Sequence, residues 1–276
     1  MRYAANPFVE VIEMEEGTWS LLSPGNCSTL CYLVSGEDKA LLIDTGFGVG
    51  DMKALCEFLA PGKELIVVIT HSHFDHTLGN YQFDKVYVHE NDLEATRAAD
   101  ERIKANSQSA GPGYTAAEVE FVALADGDEL VVLIGHAILG GGHVLEVLHT
   151  PGHTPGGICL LEKKRRMLFT GDSLVRTPTL IFFSDDPLCN VQTFGDYLRK
   201  LALRKDEFDA LYPGHNLTPQ PVEILDDMIE LCDIICADPL QFDVWGDGFG
   251  ERFRARLGSH KKAFIAYNES HTYKPE

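Results

Sequence analysis

Short blocks of apolar residues run the length of this chain, separated by glycine-, proline- and aspartate-rich breaks, and most blocks are too short for helices. Residues 8–14 and 17–22 mix apolar, acidic and β-branched positions and read as strands, followed by a turn at 23–26. Residues 28–34 and 39–44 read as a hairpin turning at 36–38. The unbroken run 65–69 (LIVVI) reads as a strand buried on both faces. Further strands are predicted at 86–89, 121–124, 129–134, 144–148, 157–161, 167–170 and 210–212, with 264–267 closing the sheet. The pair 121–124 and 129–134 flanks a turn at 126–128, and 137–139 forms a hairpin with 144–148. Helices are predicted at 51–59, 91–106, 191–203 and 223–236; in the last, Leu225, Met228, Ile229, Cys232, Ile235 and Cys236 recur at helical spacing. Asp51 is placed to cap the first, and Pro61-Gly62 to stop it.

Composition narrows the class. The 276 residues suffice for one large domain or two small ones, and 45% apolar content supports a sizeable core. Forty-two acidic against 23 basic side chains give a formal charge of -19. Such a surface disfavours nucleic acid, whose phosphates are held by Lys and Arg, and an anionic membrane. No apolar stretch reaches transmembrane length, and the first residues lack the apolar centre of a signal peptide. Together with seven cysteines, an odd number, this predicts a cytoplasmic protein with reduced thiols. Cys27 and Cys31 stand about 13 Å apart at strand rise, too far to bridge. Cys232 and Cys236, one helical turn apart, read as core-facing thiols.

Chemistry concentrates directly after the 65–69 strand, where His71, His73, Asp75 and His76 follow within six residues. A packed strand that ends in a ligand-dense loop aims its side chains at a fixed point. Imidazole and carboxylate suit zinc and its neighbours. In extended chain His71 and His73 point the same way and can grip one ion, while Asp75 and His76 lie past the bend.

The segment HSHFDH at 71–76 matches the HxHxDH signature of the metallo-β-lactamase superfamily, and further motifs follow in that family's order: Asp44 in LIDTG, His153 in TPGHTPG, Asp172 in FTGDS and His215 in YPGH. The chain therefore resembles this family from about residue 26 to 216. The resemblance implies one domain over 1–276, an α+β fold in which two mixed β-sheets flanked by helices form an αββα sandwich. It implies two divalent metal ions, zinc by default and iron or manganese as alternatives. His71, His73, His153 and Asp172 would hold one, and Asp75, His76, Asp172 and His215 the other. A hydroxide bridging the ions would attack the substrate, oriented by Asp75 as the catalytic carboxylate. Asp44 would steady the loop from behind.

Variants of the motif narrow the branch. A bridging Asp172 is similar to the hydroxyacylglutathione-hydrolase-like and lactonase-like members, which implies cleavage of a carboxylic ester, thioester or lactone in a small molecule. Phosphodiester or phosphotriester hydrolysis is the alternative, and a diiron redox protein is disfavoured by the intact His73. The glycine- and arginine-rich glutathione-binding stretch of those hydrolases is missing. Arg176 is open between holding a substrate carboxylate and pairing with a surface acid, Phe182 and Phe183 between pocket and core, and the 107–115 loop with Tyr114 between lid and ordinary surface. His89, His136, His143 and His149 fall outside the motifs and are read as structural. Oligomeric state is left open.

Overall fold

Alternating apolar and polar positions at the start of the chain fold into an antiparallel meander. In it β1 (Glu10–Glu15), β2 (Thr18–Leu22), β3 (Leu30–Ser35) and β4 (Lys39–Ile43) pair in sequence order. The computed structural model describes residues 1–23, 27–105, 118–131, 144–259 and 263–275. They fall into two compact units, Met1–Val147 and Leu148–Glu276. The predicted turn at 23–26 apart from Ser23, the 107–115 loop with Tyr114, and the 137–143 region with His136 and His143 lie outside the described residues.

In the first unit the chain switches from hairpins to helical crossovers, which parallel pairing requires. Helix α1 (Met52–Leu59) leads to β5 (Glu64–Val68), parallel to β4. Asp51 caps α1 as its sequence predicts, accepting from Ala54 N at 2.8 Å. The short α2 (Phe74–Thr77) and then β6 (Lys85–His89) follow; α3 (Leu93–Ala105) leads to β7 (Glu120–Leu124), again parallel. The seven strands lie in sequence order in one sheet. Leu21, Leu33, Leu42, Leu55, Val67 and Ile69 are fully or almost fully buried in its core. Each such side chain contributes roughly 1.5–3 kcal/mol. Strand β5 is buried at its C-terminal half, but Glu64 is exposed and pairs with Lys39 at 3.1 Å. The expected burial on both faces therefore holds only where the strand delivers the histidine loop.

The predicted hairpin of 121–124 with 129–134 does not form. β8 (Glu129–Val131) pairs instead with β9 (Val144–His149), while β7 stays on β6. The turn explains the split: Gly127 N and Asp128 O bond to Val147 O and Val147 N, both at 2.8 Å, and turn the chain away from β7.

In the second unit β10 (Ile158–Glu162) and β11 (Met167–Gly171) form the predicted hairpin. At its tip Lys163 and Lys164 are exposed, whereas Arg166 is tied to Asp209 by bonds of 2.6 and 2.9 Å. After β12 (Thr179–Ile181) and α4 (Val191–Ala202), β13 (Ala210–Pro213) joins parallel to β11, and α5 (Glu223–Ala237) follows. Phe194 and Leu198 of α4 and Leu225, Met228, Leu231 and Cys232 of α5 are buried in one core with Leu161 and Leu168. Helical spacing in the sequence therefore marks the face that packs. Finally β14 (Val244–Gly248), β15 (Glu251–Leu257) and β16 (Phe264–Tyr267) build a second sheet in the order β12-β16-β15-β14. Residues 264–267 thus do not close a sheet but lie inside this smaller one, between β12 and β15. No helix among the described residues is long and apolar enough to cross a membrane.

Candidate metal centre

Two sets of ligand-type side chains stand at strand ends, one in each unit. In the first unit both Asp44 and His71 follow parallel strands at their C-terminal ends, where open α/β sheets place their ligands. Asp44 N bonds Val68 O at 2.8 Å, which sets it level with the end of β5. His73, in extended conformation, is the N-cap of α2, so Asp75 and His76 lie past it in a helical turn as expected, whereas His71 sits in a bend rather than in extended chain. The rings of His71 and His73 lie 4.8 Å apart edge to face, and those of His71 and His76 4.2 Å apart.

One carboxylate governs the protonation pattern of this loop. Asp44, buried and held at φ +62°, accepts from Thr70 N at 2.7 Å, Thr70 Oγ1 at 2.8 Å and His76 Nδ1 at 2.8 Å. A carboxylate only accepts, so His76 Nδ1 carries a proton, and in the neutral ring Nε2 carries the lone pair. The single hydroxyl proton of Thr70 goes to Asp44. Thr70 Oγ1 therefore accepts from His71 Nδ1, 3.1 Å away, and His71 Nε2 is a donor atom too. Imidazoles fixed in this way are the form that binds metals. Asp75 accepts from Thr29 Oγ1 at 3.1 Å, with His76 Nε2 3.6 Å from the same oxygen. Asp92 anchors the loop backbone, accepting from Ser72 N at 2.8 Å. The sequence reading missed Thr29, Thr70 and Asp92. Thr70 adjoins the motif, but Thr29 and Asp92 carry no local signal.

In the second unit β11 and β13 run parallel and end together, with Gly214 N bonded to Gly171 O at 2.8 Å. Asp172 follows Gly171 and His215 follows Gly214, so the two stand side by side with Nε2 3.2 Å from Oδ2. His153 comes from the other side, its Nε2 3.5 Å from the same oxygen. Its Nδ1 donates to Leu180 O at 2.7 Å, which again leaves Nε2 as the donor atom. Gly152, at φ +140°, makes that approach possible, since a Cβ there would lie 2.5 Å from Phe194 Cβ. His149 is turned away, bonding Pro155 O through Nε2 at 2.8 Å and packing on Tyr197. His89 is likewise structural and accepts from Asn91 N. Arg176 is exposed, Phe182 is buried in the core of the small sheet, and Phe183 is partly exposed. Within each unit, then, the predicted ligands stand together, and their imidazole and carboxylate chemistry fits a zinc-type divalent ion.

The profile of the metallo-beta-lactamase superfamily matches residues 24–217. The human protein named acyl-coenzyme A thioesterase MBLAC2 is 36% identical over 162 residues, covering 51% of this chain and 56% of that protein. The match thus spans little more than half the length of that relative. The chicken protein of the same name is 31% identical over 201 residues, 67% of this chain and 71% of its own. Among solved structures, a metallo-beta-lactamase from Pontibacter korlensis superimposes with a TM-score of 0.57 at 19% identity, covering 81% of this chain and 98% of that one. That likeness is one of fold, and the expected α+β metallo-β-lactamase fold is the fold observed. With the profile spanning well over half of its residues and every motif in order, the chain belongs to the metallo-beta-lactamase superfamily.

Proposed function

We propose that this chain is a dinuclear metal-dependent hydrolase of small acyl compounds, with an acyl thioester as its first substrate class and esters and lactones as its second. His71, His73, His153 and Asp172 would hold one ion and Asp75, His76, Asp172 and His215 the other, with residues 1–276 acting as one domain. The observation that carries the reading is Asp172 Oδ2, which has the Nε2 atoms of two imidazoles within 3.5 Å, one of them aligned by a backbone carbonyl. A carboxylate so placed suits bridging, which supports the hydroxyacylglutathione-hydrolase-like and lactonase-like branch over the true β-lactamases. The names of the human and chicken relatives support the thioester.

When bound, the ions supply a water activated near neutral pH and polarise the acyl carbonyl. The chain's own residues do the rest. Asp44 and the Leu180 carbonyl keep imidazole protons on Nδ1. Asp75, braced by Thr29, orients the attacking water through its carboxylate. Zinc is the proposed metal, and the acidic chain is proposed to work in the cytoplasm.

The test is elemental analysis of protein purified without added metal, with turnover of an acyl thioester, a lactone and a bis-aryl phosphodiester. Close to two zinc ions per chain and thioester or lactone turnover, both lost in Asp172→Ala, are expected. Phosphodiester turnover alone overturns the substrate class. Iron without any hydrolysis overturns the reading in favour of redox chemistry.

A further inference from the structure

The second unit carries a feature that the ligand set does not use: an aromatic ridge starting at His153. The ring of Phe183 lies 6.5 Å from that of His153, edge to face. The ring of Phe249 lies 5.0 Å from that of Phe183, again edge to face. Both are exposed, Phe183 at 37% and Phe249 at 65%, and large exposed apolar side chains in contact with one another mark binding surfaces more than scattered ones do.

Phe183 has a buried backing. Phe183 rests on Phe182 at 4.6 Å, and Phe182 is buried and stacked on Phe253 of β15 at 4.9 Å. The segment that presents Phe183 also contains Leu180, whose carbonyl fixes the His153 ring. Ligand and ridge are therefore positioned by one piece of chain. Phe249 occupies the tip of the β14–β15 hairpin with Gly250, both at positive φ (+54° and +82°). Such two-residue turns favour Asn, Asp or Gly at the first position, so a bulky ring there is held against its backbone preference. Phe249 also lies beyond residues 24–217, the part of the chain that carries the family profile.

The geometry points to Phe183 and Phe249 as the surface that receives the apolar acyl chain of the substrate, with the carbonyl end at His153. The inference rests on the proposed function and adds a substrate class: medium- or long-chain acyl groups in preference to acetyl. Rings offer a methylene chain a large dispersive surface without a polar group to desolvate.

Calorimetric titration of the metal-loaded full chain with decanoate and with acetate tests this without turnover, alongside kcat/KM for decanoyl and acetyl thioesters. Decanoate should bind at least tenfold tighter than acetate. Phe249→Ser should lower that ratio about tenfold, Phe183→Ser likewise, and Phe8→Ser, an exposed aromatic of the first unit, should not. Equal binding of both acids, an unchanged ratio in Phe249→Ser, or an equal fall in Phe8→Ser overturns the inference. Decanoate binding through these rings with no thioester hydrolysed overturns the proposed function alone, and hydrolysis without chain-length preference overturns the inference alone.

Discussion

Replacing Asp44 by asparagine keeps the shape of the side chain and reverses one of its atoms. Asn tolerates the positive φ of this position. If its oxygen continues to accept from Thr70 N, its amide nitrogen takes the place of Oδ2, facing Thr70 Oγ1 and His76 Nδ1. Both partners must then accept. The proton of His76 moves to Nε2, and the released hydroxyl proton of Thr70 turns to His71 Nδ1 and moves that ring's proton to Nε2 as well. Two ligand nitrogens are blocked by one substitution. Loss of one such outer partner costs about 10–100-fold in metal affinity. Two together predict about 10²–10⁴-fold, or roughly 3–6 kcal/mol. The metal-free protein, whose donors and acceptors are re-paired, should lose only about 1 kcal/mol. Chelator competition for zinc measures the first quantity and thermal unfolding of the metal-free protein the second. Zinc affinity within threefold of wild type would refute the tautomer argument. Equal losses in both measurements would reduce Asp44 to a folding residue.

Three further outcomes are expected. Gly152→Ala places a Cβ against Phe194 at a φ few residues other than glycine adopt; unfolding should show a loss of about 2–3 kcal/mol, with weaker metal binding, and a wild-type stability curve would contradict the packing at His153. The Arg166 guanidinium beside Asp209 holds that carboxyl below its usual range. The pair therefore stabilises the fold above the ordinary carboxylate pKa and ceases to do so as pH falls through the lowered value. The melting temperatures of wild type and Arg166→Gln should differ at pH 7 and converge in acid, and a pH-independent gap would contradict the assignment. Burial pushes the thiols of Cys31, Cys56 and Cys232 well up and that of Cys159 to about 12. A thiol reagent should label the exposed Cys27 first and the five buried cysteines only on unfolding; rapid labelling of any buried thiol in the folded protein would show that the core opens.

The elements that sequence reasoning found are those whose signal is local. Helix α5 displays its buried face as a spacing, α1 its cap as Asp51, and the ligand loop its chemistry as six consecutive residues. Strands β14 and β15 were missed because their residues do not advertise burial, and β12, although apolar, is only three residues long. β15, ERFRARL, alternates charge with apolar positions on a strand that is exposed at its start and half-buried along much of its length. The misjoined β7 and β8 failed differently: both strands exist, but partner choice was settled by hydrogen bonds from Gly127 and Asp128 to a residue about twenty positions away.

By itself the sequence determined the donor types, their order and the strand-then-loop settings that present them, because imidazoles and carboxylates at fixed spacing constrain chemistry before any folding. Tertiary structure alone decided which nitrogen of His71, His76 and His153 is available, since that depends on Asp44, Thr70 and the carbonyl of Leu180, residues up to 32 positions from the ring they align. It also decided that Phe183 and Phe249, 66 positions apart in the chain, share one ridge beside His153. A hydrogen-bond partner or a neighbouring ring is a fact of position in space, and chain order records it only when the two residues are close in sequence.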